Sequence, residues 1–176
     1  AQANVVILRD ATVFSNTATL GGAVVATTTL DISNSSINSN TAGQAGGALL
    51  GLNANAWITN SIFTSNKVTL TNSFGGAIWI TGTATISNST FLSNTAQFGG
   101  GMAALTVNLD GAHFQGNTAL AKGAAFGYQL TFFRRAILAP DELAVRSSSW
   151  AAQQVFMAHF TLTDVAGSHF YAFEQF

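Results

Sequence analysis

The chain has 176 residues, 48% of them apolar and 7% charged, with a net charge of -1 and no cysteine. The apolar share is enough for a packed core, whereas charge falls far below the roughly 25% of typical soluble domains, and the near-neutral balance excludes an electrostatic nucleic-acid binder or a basic membrane-surface module. Without cysteine there is no disulfide framework and no thiolate metal site, and no apolar run reaches the about 18 residues of a membrane-spanning helix.

The chain opens at Ala1, without Met, on a strand-like run, Val5-Val6-Ile7-Leu8. That start reads as a processed or excised piece of something longer. A short phrase then returns five times. It is an apolar residue, two small or polar residues, Asn, and a Gly-Gly a few residues on. The first two copies are Val13-Phe14-Ser15-Asn16 with Gly21-Gly22, and Ile37-Asn38-Ser39-Asn40 with Gly46-Gly47. Phe63-Thr64-Ser65-Asn66 with Gly75-Gly76, and Phe91-Leu92-Ser93-Asn94 with Gly99-Gly100, follow. Phe114-Gln115-Gly116-Asn117 with Gly123-Ala124 closes the series. A unit this short cannot bury its apolar face alone, so it must stack on its neighbours.

Each repeat carries two short alternating runs. One precedes the Asn, as in Leu30 to Ile37 and Ala84 to Phe91; the other follows the Gly-Gly, as in Ala77 to Ile80. Period-2 runs punctuated by Gly, Asn and Ser are strand signals. A period of roughly 24 residues is too short for a propeller blade and closes one coil of a parallel β-helix. The expected fold is therefore all-β, a parallel β-helix of about five coils over residues 1–125. Phe63, Phe91 and Phe114 should form an inward column. Asn16, Asn40, Asn66, Asn94 and Asn117 should form a ladder at a turn, each amide bonded to its neighbours one coil away. Gly21, Gly46, Gly75, Gly99 and Gly123 should mark the next corner. The segment from Lys67 to Phe74 is the longest gap between Asn and Gly-Gly, so it should bulge most.

Composition changes near Gly123. Residues 1–125 hold all fourteen asparagines, whereas 126–176 hold none and carry eleven of the nineteen aromatics. The second part, 126–176, is expected to be a short antiparallel β segment that caps the stack or forms part of another domain.

Phe63-Thr64-Ser65-Asn66 with Gly75-Gly76-Ala77-Ile78, and Phe91-Leu92-Ser93-Asn94 with Gly99-Gly100-Gly101-Met102, resemble the repeat of the chlamydial polymorphic outer-membrane proteins. The resemblance covers residues 5–125. It implies a right-handed β-helix, exposed at the cell surface or outside the cell, of a kind often used as an adhesin. The tail resembles a different family, through Phe126-Gly127-Tyr128, Trp150 to Asp164, and Phe170-Tyr171-Ala172-Phe173-Glu174. It is similar to the lipocalin-like secreted hydrolases, which include the carotenoid 1,2-hydratases. That likeness implies the first strands of an antiparallel barrel and a hydrolase or hydratase activity.

Residues suited to chemistry are few. His159 lies on an alternating run, Val155 to Asp164, that places Asp164 on the opposite face; a barrel-interior acid/base role competes with a hydrogen-bonded structural one. His113 precedes the inward Phe114 and should face outward. Asp10 and Asp31 follow strand starts in neighbouring repeats, with Arg9 beside Asp10. A β-helix enzyme acting on polysaccharide, of the pectin lyase-like kind, would need such paired carboxylates for calcium or for acid/base work; a solvated turn pair explains them as well. Thr17, Thr41, Lys67, Thr95 and Thr118 form a column after the Asn, weighed as an ice-binding array against turn capping. The sequons Asn34-Ser35-Ser36 and Asn88-Ser89-Thr90 matter only in a eukaryotic secretory host. No catalytic residue, metal ligand or cofactor is assigned. The expected function is a non-catalytic adhesion module or stalk, with a host-surface or cell-wall glycan or protein, or end-to-end self-association, as partner.

Overall fold

The computed structural model describes residues 1–122, 126–134 and 137–138, with side chains described through Leu120. Among them there is no helix. The first coil holds β1 (Gln2–Arg9), β2 (Thr12–Phe14) and β3 (Thr17–Leu20); the second holds β4 (Val24–Ser33), β5 (Ser36–Asn38) and β6 (Thr41–Ala45). In the third coil the first side is split into β7 (Leu49–Gly51) and β8 (Asn55–Thr59), followed by β9 (Ile62–Thr64) and β10 (Lys67–Val68). The fourth holds β11 (Ile78–Ser87), β12 (Thr90–Leu92) and β13 (Thr95–Phe98); the fifth holds β14 (Met102–Asp110), β15 (His113–Gln115) and β16 (Thr118–Lys122). Then β17 (Phe126–Arg134) and β18 (Ile137–Leu138) begin a further turn.

The strands sort by coil position into three sheets. The first runs β1-β4-β7-β11-β14-β17, with β8 beside β4 and β11; the second runs β2-β5-β9-β12-β15-β18; the third runs β3-β6-β10-β13-β16. Every pair is parallel. The chain is a parallel β-solenoid with three sides per coil, as the period of the repeat requires, although the two runs per repeat expected from alternation become three strands. The missed side is the third sheet. Its strands are short and rich in Thr and Ala, as in Thr41–Ala45, and carry too little apolar alternation to be seen.

The first two corners solve the same problem in the same way. One residue takes a left-handed backbone and the next points a small or compact polar group inward. At the first corner the left-handed residues are Asp10, Asn34, Asn60, Asn88 and Gly111; at the second they are Ser15, Ser39, Ser65, Ser93 and Gly116. Asn and Asp tolerate this region by bonding locally, and Gly enters it without cost. At the third corner Gly75 has φ 66°, and a Cβ on Gly76 would collide with the carbonyl of Gly100 in the coil above. Two glycines in a row are needed there for two different reasons.

The inner columns follow directly. Ile37, Phe63, Phe91 and Phe114 are successive register partners and fully buried. The rings of Phe63 and Phe91 stack at 4.8 Å and 6°, those of Phe91 and Phe114 at 4.7 Å and 5°. These distances are the strand spacing itself, so the coil rise sets the stacking geometry. From Leu30 and Ile32 through Ile58, Ile86 and Leu109, the first sheet supplies the facing wall of the same core.

Two hydrogen-bond ladders line the corners. The Asn ladder is as expected: Nδ2 of Asn16, Asn40, Asn66 and Asn94 donates to Oδ1 of the Asn one coil on, at 2.9–3.0 Å. A second ladder was not anticipated. The backbone N–H of Ala11, Ser35 and Ser61 donates to Oγ of Ser35, Ser61 and Ser89 at 3.1–3.2 Å. Each hydroxyl in turn donates to a carbonyl two residues back, Ser33, Thr59 or Ser87. Its sequence signal is a Ser two residues before each inward apolar residue, as in Ser61-Ile62-Phe63. No buried side-chain polar atom among the described residues lacks a partner.

Past the composition boundary the described strands continue the stack. β17 pairs in parallel with β14 and β18 in parallel with β15, Phe114 facing Leu138. The antiparallel arrangement expected after Gly123 is therefore corrected for these strands. β17 follows the edge of β14 through two register shifts, with Val107 opposite Leu130 and Leu109 opposite Phe133. Gly123 itself and residues 139–176 lie outside the described residues.

Candidate functional site

Among the described residues the third coil departs from its neighbours twice, in its split first side and at its third corner. In the second coil Ala45 lies four residues after Thr41, which pairs with Lys67; in the third coil Phe74 takes the place of Ala45 and lies seven residues after Lys67. Three residues, Thr71, Asn72 and Ser73, are therefore inserted. They do not hang free. Thr69 and Leu70 still donate to the carbonyls of Ala42 and Gly43 at 3.1 and 2.9 Å. Asn72 turns the chain with φ 57°. Ser73 is fully buried, and its Oγ accepts from the N–H of Gln97 at 3.2 Å. Phe74 then rejoins the sheet between Ala45 and Phe98. The expected bulge is present, and it is a braced one.

The insertion overhangs the coils below it, where the register partners are the smaller Ala45 and Leu20. An open groove of about 350 Å³ results. Its wall is Phe74 and Trp79, with Leu20, Ala45 and Leu70 as apolar floor and side. Gln44, Thr71 and Asn72 complete the lining, and all three are exposed. Phe74 stacks on Trp79 at 5.2 Å and on Phe98 at 5.1 Å, which fixes the aromatic wall. Both Phe74 and Trp79 are half-buried. None of the lining residues is charged. Sequence reasoning marked the segment from Lys67 to Phe74 as irregular but missed the aromatic wall. The signal, Phe74 and Trp79 flanking Gly75-Gly76, was absorbed into the repeat.

The residues named as catalytic candidates are arranged differently. Asp31 lies on the outer face of the first sheet, one coil from Ile7 and Trp57. Its carboxylate is engaged by Arg9 at 3.1 Å. Asp10 occupies the left-handed position of the first corner and is exposed, with its N–H donating to the carbonyl of Ser33. The two aspartates do fall in neighbouring coils, but one is a turn residue and the other an ion-pair partner. No group of three or more potential metal-binding side chains occurs among the described residues. His113 lies on the second sheet opposite Thr90, with its neighbour Phe114 inward, as anticipated. His159 lies outside the described residues. The Thr column is in register on the third sheet, Thr17, Thr41, Lys67, Thr95 and Thr118, with Lys67 interrupting it.

A family model described as AttH-like matches residues 110–176. The match begins in the fifth coil, at the end of β14, and takes in β15 to β18. No family of polymorphic outer-membrane protein repeats was found to match, so the resemblance given above for residues 5–125 is corrected. The correction has a physical basis. Phe-x-x-Asn and Gly-Gly are what the second and third corners of this coil demand, so they mark a geometry and not a lineage. Neither the curated proteins nor the solved structures contain a significant match to the chain.

Proposed function

We propose that residues 1–122 form a non-catalytic binding module, surface-exposed or extracellular, that serves in adhesion or as a stalk. One observation carries this reading. The recurring Asn, Ser, Gly and Phe are all occupied in closing and stacking coils, and the corner lengthened by Thr71–Ser73 builds a braced groove. Stacked coils give a long, stiff support on which such a groove is held in place. The test is binding of the intact chain to bacterial and animal cells and to immobilised glycans and proteins. Saturable binding to at least one surface, unaltered by Asp10→Ala or Asp31→Ala, is the expected result. Turnover of a polysaccharide that Asp31→Ala abolishes would replace the reading with a β-helix enzyme. Binding to nothing would leave only the stalk.

A second reading, a hydrolase or hydratase activity in the tail, is favoured by the AttH-like match over 110–176. It needs an antiparallel barrel, whereas β17 and β18 pair in parallel. Hydrolysis of a panel of ester substrates by the intact chain would support it.

A further inference from the structure

We infer that the groove beneath Thr71–Ser73 binds a neutral oligosaccharide, one pyranose ring stacking on Trp79, which Phe74 backs from behind. This rests on the binding-module reading above and names its ligand class. Three features of the groove converge on it.

The first is the wall. Phe74 and Trp79 are held as a stacked pair, 5.2 Å between centroids and 24° between planes, at the side of an open groove. A pyranose with equatorial hydroxyls has a flat apolar face of C–H groups, whose weakly positive hydrogens suit the negative face of an aromatic ring. The wall is also rigid, because Phe74 is clamped a second time by Phe98 at 5.1 Å. Little order is lost on binding, which favours a weakly held ligand.

The second is the rim. Gln44 and Asn72 each bring a planar amide that both donates and accepts, and Thr71 brings a hydroxyl. Paired donor and acceptor groups match the two-way character of sugar hydroxyls. A purely aliphatic ligand would gain nothing from these amides.

The third is charge. With no Lys, Arg, Asp or Glu among its lining residues, the groove offers nothing to a phosphate, a uronate or a cation. The volume, about 350 Å³, lies at the low end of small-ligand sites of roughly 300–1,000 Å³ and admits one or two sugar rings, with the chain continuing through the open side. Trp57, an exposed aromatic that does not line the groove, lies opposite Asp31 in the first sheet.

The experiment is calorimetric titration of the intact chain with cellohexaose and with chitohexaose, with a thermal melt of each variant. The wild type is expected to bind at least one hexaose. Trp79→Ala should weaken binding about tenfold or more. Because Trp79 is half-buried and its loss could disturb the corner, Gln44→Ala with Asn72→Gly is the second arm. Glycine keeps the left-handed turn at 72. Both side chains are exposed, so the melt should not move, yet affinity should fall several-fold. Trp57→Ala should bind as the wild type does. No heat with either hexaose, or full affinity in both the Trp79 and the double variant, would overturn the inference. Cell or protein binding that Trp79→Ala abolishes while both hexaoses fail would refute the saccharide and keep the module. Hexaose binding at the groove by a chain that binds no cell surface would keep the site and refute the adhesion reading.

Discussion

The Oδ1 of Asn66 accepts two hydrogen bonds from one residue, Asn40, whose backbone N–H lies at 3.0 Å and whose Nδ2 lies at 2.9 Å. Asn66 then repeats both donations to Asn94, and its Nδ2 also donates to the carbonyl of Ile37 at 2.9 Å. Both lone pairs of the amide oxygen and both amide hydrogens are used. The ladder therefore specifies Asn and no other side chain.

Asn66→Ala should cost about 3 kcal/mol or more, because it strips partners from Asn40, Asn94 and the Ile37 carbonyl, all inside the stack. The turn hydrogen bonds expected from the sequence alone would be worth about 1–2 kcal/mol. Asn66→Asp should be worse than Asn66→Ala at neutral pH, since it sets a carboxylate oxygen against Oδ1 of Asn94. Chemical denaturation of the three proteins gives the order. Equal midpoints for all three would place Asn66 outside the core.

Phe91 has a ring above and a ring below it, so Phe91→Ala opens a void between Phe63 and Phe114. The expected loss is about 3–5 kcal/mol. Phe91→Leu should recover much of it, because the equivalent position one coil below Phe63 is already the aliphatic Ile37. The same denaturation measurement checks both variants.

At the third corner the two glycines should fail in different ways. Gly76→Ala drives a methyl into the Gly100 carbonyl and should prevent that corner from closing. Gly75→Asn keeps a residue that tolerates a left-handed backbone, but its side chain still meets the Ile78 carbonyl, so it should also destabilise. Gly111→Asn is the contrasting case. Asn occupies the matching corner in the three preceding coils, at 34, 60 and 88. Its melting temperature should stay within a few degrees of the wild type. A loss at Gly111 as large as that at Gly76 would mean that the corners are not equivalent in the way described.

Deletion of Thr71–Ser73 converts the third coil to the length of the second, where Ala45 follows Gln44 without an insertion. The stack should survive, at the cost of the two bonds that Ser73 accepts from the N–H groups of Gln97 and Phe98. Far-ultraviolet circular dichroism should therefore keep its β signature, whereas surface binding by the chain should be lost. Unchanged binding would move the site away from this corner.

Much of this architecture was legible in the sequence because it recurs. Asn40, Asn66 and Asn94 stand at one place in the period and at one place in the coil, and so do Phe63, Phe91 and Phe114. The third sheet was not legible, since Thr41–Ala45 and Lys67–Val68 carry few apolar residues and their inward positions are Ala42 and Val68. The Ser ladder was legible in principle, from Ser35, Ser61 and Ser89, but a serine before an apolar residue is too common to stand out in a chain this rich in serine. The groove was half visible. Its length excess could be counted, but the meeting of Trp79 with Phe74 depends on how sharply Gly75 and Gly76 turn the chain. Family likeness read from the same motif misled, because corner chemistry is shared by any chain that closes such a coil.

Side-chain amide hydrogen exchange, followed by nuclear magnetic resonance, tests the stacked ladder most directly. The Nδ2 protons of Asn40, Asn66 and Asn94 are bonded inside the coil, whereas Asn53 and Asn72 sit on exposed turns. The ladder amides should exchange at least about a thousandfold more slowly than those of Asn53 and Asn72. Exchange of the Asn66 and Asn94 amides at the rate of Asn72 would contradict the ladder, and with it the stacked coil.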